Sequence, residues 1–159
     1  MPEPLSTAAQ RVQHALAALG CEGRLRQLPQ PARTAAAAAA AVGCEVGQIV
    51  KSLVFALRGG GVPLLVLTSG ANRVDEATLA RVVGEPLAKA DAEFVRTHTG
   101  FAIGGVAPVG HPSALTTLID EDLMRWPPVW AAGGHPHTVF SLAPQELARI
   151  TGGLIVRVK

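Results

Sequence analysis

KSLVFALRGGGVPLLVLTSG, residues 51–70, sets two apolar runs on either side of three consecutive glycines. Residues 52–57 and 63–68 are rich in Leu, Val and Phe, and each has the length of a strand. Gly59, Gly60 and Gly61 supply the backbone freedom of a tight reversal, so the pair reads as a β-hairpin. Side chains alternate along a strand, which puts Lys51 on one face with Leu53, Phe55 and Leu57. Those three belong in a core, and the Lys51 ammonium then sits at the mouth of an apolar interior. A cation there is costly unless it reaches water or an anion. Snorkelling from a strand end meets the first condition. A phosphate, a carboxylate or a developing oxyanion meets the second.

Helices and strands alternate outward from the hairpin. Thr7 and Gln10 form a capping box for a helix with Val12, Leu16 and Leu19 on one face, ended by Gly20. A short strand at 24–28 runs into Pro29 and Pro31. Thr34 caps the alanine run 35–41, closed by Gly43. On the other side, Asp75 opens a helix through Val83, and Asp91 opens one that ends at Gly100. Beyond residue 111 come a strand at 115–119, a helical turn at 120–125 capped by Asp120, and a strand at 129–132. GGHPH, residues 133–137, links it to a strand at 138–142. Pro144 starts a helix to Ile150, and 154–158 is a final strand. Hairpins mixed with helical crossovers imply one α/β domain, residues 1–159, with a mixed sheet curled into a barrel-like form and helices outside it.

Composition narrows the function classes. Of 159 residues, 48% are hydrophobic and 16% charged, the balance of a folded domain rather than a disordered chain. Arg, Gly and Pro interrupt every run before the ~18 apolar residues that a membrane span needs. MPEPLSTAAQRVQ lacks a basic region followed by an apolar core, so the cytoplasm is the expected compartment. Net charge is +2 with no Lys/Arg block, and Tyr is absent, which excludes a DNA-binding face and a base-stacking platform. Any RNA contact is local. Lys89 and Lys159 read as solvated cations. Cys21 and Cys44 have neither metal nor redox spacing and read as reduced thiols.

GFAIGGVAPVGH, residues 100–111, offers almost no side-chain chemistry before His111. What it offers is backbone. Gly104 and Gly105 allow close approach, Pro108 stiffens the turn, and Gly110 permits a second bend. The same residues also suit a plain turn between elements. The loop is not GxxxxGK[ST], which counts against a nucleoside triphosphate site. His135 and His137 have the H-x-H spacing of a metal pair, but Pro136 interrupts the strand and no third ligand is suitably spaced. No metal site is expected.

IVKSLVF, LLVLTSGANRVD, TGFAIGGVAPVGH and VWAAGGHPHTVFSLAPQELARITGG together resemble the YbaK/ProX-like aminoacyl-tRNA deacylases. That domain also occurs as the editing insertion of bacterial prolyl-tRNA synthetases. The resemblance runs from about residue 34 to 153, in the family's order and spacing. It implies a mixed α/β barrel-like sheet and a trans-editing hydrolase that cleaves the ester of a mischarged tRNA of tRNA-Pro type. It implies no cofactor, and an aminoacyl-tRNA synthetase as a further partner. Matched residue by residue, it makes Lys51 the catalytic residue and Gly104, Gly105, Pro108 and Gly110 the substrate loop, whose backbone donors would serve a developing oxyanion. Gly133, Gly134 and His135 match the late glycine turn that faces the pocket. The family lacks an obvious side-chain nucleophile, groups on the substrate assisting instead, and cognate Pro-tRNA is refused by pocket size. Around Ser52 and His111 the chain departs from the best-known cysteine-removing members, so the amino acid removed stays open. Two other classes fit these residues: a module that holds aminoacyl-tRNA or a synthetase without hydrolysis, and a small-molecule or nucleotide-binding domain.

Overall fold

The computed structural model describes residues 4–21 and 24–159. In chain order the elements are α1 (Thr7–Ala18), β1 (Arg26–Gln27), α2 (Ala35–Val42), β2 (Val50–Leu57), β3 (Val62–Ser69), α3 (Glu76–Val83) and β4 (Ala88–Lys89). Then come α4 (Ala92–Thr99), β5 (Thr116–Asp120), β6 (Val129–His135), β7 (Thr138–Leu142), α5 (Pro144–Thr151) and β8 (Leu154–Val156). Short 3-10 turns occupy Val46–Gln48, Arg58–Gly60 and Glu121–Arg125.

The glycine hairpin is the spine of the larger sheet. β2 and β3 pair antiparallel along their whole length, from Val50 opposite Ser69 to Leu57 opposite Val62. Gly59 and Gly60 take positive φ in the reversal. β3 then pairs parallel with β5, and β5 parallel with β8, giving the order β4-β2-β3-β5-β8. β3 is covered on both faces, which is why its sequence reads LLVL without polar alternation. Leu65 and Leu67 face the main core, and Leu64 and Val66 face a second cluster with Leu79 of α3 and Val158. Leu53, Phe55 and Leu57 join that second cluster, so the alternation that Lys51 was read from holds.

A smaller sheet, β1-β7-β6, closes the other side of the main core. Val129, Ala131, Phe140 and Leu142 from this sheet meet Leu65, Leu67 and Ile119 from the larger one, with Val12 and Leu16 of α1 and Leu147 and Ile150 of α5 at the sides. The sheet is therefore not closed into a barrel, contrary to the sequence expectation. Closure needs a continuous ladder around the ring, yet among the described residues β2 pairs with β4 only at Phe55 and Ala56, and only the isolated bridge Ile49–Trp130 joins the two sheets. Beyond that bridge they diverge, and α2 packs into the gap through Ala38 and Ala39 against Ile49 and Trp130.

Local corrections have local causes. Ser6, not Thr7, caps α1, its side chain accepting from the Ala9 amide at 3.1 Å. Gln10 donates instead to the Leu5 carbonyl. β6 continues through Gly133 and Gly134 to His135, where the sequence GGHPH suggests a link. The two glycines form a bulge between the pairs Ala132–Val139 and His135–Thr138. β4 went unread because AK carries no strand signature.

Candidate active site

A cavity of about 250 Å³ opens where the two sheets diverge, bounded by α2, the open edge of β2, the loop after α4 and the bulged end of β6. Ala35, Ala38, Ile49, Val106, Ala131 and Val139 make its walls apolar. Its polar lining residues include Arg33, Thr34, Lys51, Ser52, His135 and Thr138. Trp130 forms one wall, with the Arg26 guanidinium 5.9 Å from its ring centre.

Lys51 is half-buried, and its ammonium donates to the Asn72 carbonyl at 2.8 Å. An ammonium has three donors, so this bond fixes its direction without saturating it. Asn72 belongs to a turn fastened at every corner. Its amide donates to the Ser69 carbonyl at 2.9 Å, closing the turn, and the Gly70 amide donates to Ile49 at 2.7 Å. The Ser69 hydroxyl donates to the Gly47 carbonyl at 2.8 Å.

Beneath the turn lies Asp120, 1% exposed at the end of β5. One of its oxygens accepts from the Thr68 hydroxyl at 3.0 Å, the Ser69 amide at 3.0 Å and the Asn72 side-chain amide at 2.8 Å. The other caps the following turn by accepting from the Asp122 amide at 2.9 Å. The sequence revealed only the capping role. The overlooked signal is a carboxylate ending an apolar strand, TTLID, beside the polar end of its neighbour, LTSGAN. The second hydrogen of the Asn72 amide goes to Asp122 at 2.8 Å. That bond first, and then Lys159, hold the Asp122 carboxyl below its usual range. Lys159, read as solvated, pairs with Asp122 at 3.2 Å.

The residues singled out by sequence separate into groups. Lys51, Gly104 and His135 share the cavity wall. Gly105 sits behind it. Its amide donates to the Ala102 carbonyl at 3.0 Å, so this N–H is engaged within its own turn. A Cβ on Gly105 would stand 3.2 Å from the Gly134 carbonyl oxygen and the His135 backbone. Pro108 and Gly110 line a separate cavity of about 180 Å³ with His111. Gly133 packs against Thr138 and Leu25, and Gly134 against Ala8 and Phe101. The loop is anchored by Phe101, 2% exposed under the Arg11 guanidinium at 4.6 Å, and by the His111 ring nitrogen 2.7 Å from the Ala107 carbonyl.

His135 accepts from the His137 amide through Nδ1 at 3.1 Å, and the two rings lie 5.1 Å apart. Ser52 contributes a buried hydroxyl with no hydrogen-bond partner among the described residues. Cys21 and Cys44 are free thiols, and burial raises the Cys44 pKa with help from Glu45. No helix among the described residues is long and apolar enough to cross a membrane.

The fold is mixed α/β, and Lys51 lines a small, largely apolar chamber in it. Residues 29–150 match the model of the aminoacyl-tRNA editing domain, and the chain belongs to that family. A solved structure whose name proposes a trans-editing enzyme for prolyl tRNA synthetase is 50% identical, with a TM-score of 0.93 over 98% of this chain and 99% of that one. YwhH of Bacillus subtilis, an uncharacterized protein, is 27% identical over 130 residues, 82% of each chain. The proline–tRNA ligase of Limosilactobacillus fermentum is 34% identical over 110 residues, which are 66% of this chain and 19% of the ligase.

Proposed function

We propose that the chain hydrolyses the ester of a mischarged tRNA, of tRNA-Pro type, with the aminoacyl group in the cavity beside Lys51. The observation that carries this reading is Lys51, which lines the apolar chamber and whose ammonium is held by one carbonyl. Water attacks the ester carbonyl, charge gathers on its oxygen, and the ribose leaves as an alcohol once the C–O bond breaks. A fixed cation in a low-dielectric pocket stabilises that oxyanion more strongly than solvent does. No Ser or Cys in the cavity is paired with a base: the Ser52 hydroxyl has no partner among the described residues. The reading therefore leaves proton transfer to water and the substrate's own ribose hydroxyl. Gly104 brings the loop backbone to the cavity edge at a φ of 93°.

The test is release of amino acid from tRNA-Pro charged with alanine, serine or cysteine. Lys51→Ala is expected to fold normally, because it deletes a half-buried cation, while turnover falls by a factor on the order of 10². Near-normal turnover by that variant removes Lys51 from the chemistry. A wild type that binds the whole panel without hydrolysing it favours the holding module instead.

A further inference from the structure

We propose that Asp120 is the positioning residue of this site, acting through the 69–72 turn to hold the Lys51 ammonium in line with the substrate carbonyl. The inference rests on the deacylase reading and extends it to residues outside the cavity.

Three independent donors from that turn and the strand leading into it converge on one oxygen of a carboxylate that is 1% exposed. Thr68, the first of them, is the cross-strand partner of Lys51. The last, the Asn72 side chain, belongs to the residue whose carbonyl receives the Lys51 ammonium. Helix capping needs none of this, because the cap uses the other oxygen. The carboxylate, the turn and the cation thus form one chain of contacts from β5 to the cavity wall. An amide in place of Asp120 presents an NH₂ group to at least one set of these donors. The three donors then face a neutral amide in place of a carboxylate, so the turn is held less tightly and Lys51 is aimed less well. Misplacing a catalytic group by about 1 Å can cost on the order of 10² in rate.

Single-turnover deacylation of the mischarged tRNA-Pro panel tests this with a double-mutant cycle of Asp120→Asn and Lys51→Ala. In the wild-type background Asp120→Asn is expected to slow turnover about 10-fold or more. In the Lys51→Ala background the same change should cost less than about 2-fold, because nothing remains to be aimed. A merely structural role predicts equal losses in both backgrounds, and that result overturns the proposal, as does an Asp120→Asn protein with wild-type turnover. Should Asp120→Asn fail to fold, Asn72→Ala carries the test. It removes the half-exposed amide that ties the turn to Asp120, and the same non-additivity is expected. If Lys51→Ala alone keeps wild-type turnover, the deacylase role of Lys51 falls and the positioning role falls with it. Additive losses, with Lys51→Ala slowed but still measurable, remove only the positioning role.

Discussion

At Lys51 the strand's alternation singles out a residue that also lines the cavity. A cation on the face of Leu53, Phe55 and Leu57 departs from the local pattern, and Lys51 and Leu53 line the cavity. Asp120 violates nothing so visibly, since an Asp before a helical turn is an ordinary cap. Its three further bonds come from residues about fifty positions away and have no local trace. His111 carries a different kind of consequence. Burial lowers its pKa from the usual 6.5, and the Arg11 charge pushes the same way, against the raising effect of the Ala107 carbonyl. The folded chain therefore favours neutral imidazole, while the unfolded chain takes up a proton near 6.5. Stability supplied by this residue is present above that pH and is lost as pH falls toward and through the lower folded value. Thermal melts at pH 7.5 and pH 5 should show a larger loss for wild type than for His111→Gln. Equal losses would mean that His111 does not contribute to the acid sensitivity.

The helices α2, α3, α4 and α5 were legible because each has its own punctuation. Thr34, Asp75 and Asp91 cap three of them by side-chain bonds, and Pro144 starts the fourth. The β6 bulge was not legible, because a paired glycine reads the same in a turn as in an interrupted strand. That bulge bears on how Gly105 works. A methyl there does not enter the cavity; it presses on Gly134 and His135, where something must give by a few tenths of an ångström. Gly105→Ala is expected to shift the end of β6, and His135 with it, slowing deacylation about 10-fold while the fold persists. Gly60→Ala is the matched control. Its Cβ would meet nothing within 4 Å, and its φ of 103° costs only local strain, roughly 1–2 kcal/mol. Turnover and a thermal melt on both variants settle the matter: equal turnover would show that the end of β6 has no part in the site.

Across the whole molecule, the expected barrel fails for the same reason that a cavity exists. Two sheets that join at the Ile49–Trp130 bridge and then part leave a chamber, and α2 covers it with alanines small enough to keep it open. No residue pattern signals where a ladder stops, so this geometry lay beyond the sequence. It also means that a ligand in the chamber touches α2, both sheets and the loop after α4, and should stabilise the entire fold. The probe is 3′-amino-3′-deoxyadenosine acylated with alanine or serine, whose amide replaces the labile ester. At a free concentration 100-fold above Kd, binding adds about 2.7 kcal/mol. In a chain of this length that is a rise of roughly 5–10 °C in Tm. If Lys51 acts on charge that develops only in the transition state, it adds little to ground-state binding. Lys51→Ala should then keep most of the rise while losing turnover. A rise that vanishes in Lys51→Ala would make the lysine a binding anchor instead. No rise in either protein would place the substrate outside the chamber.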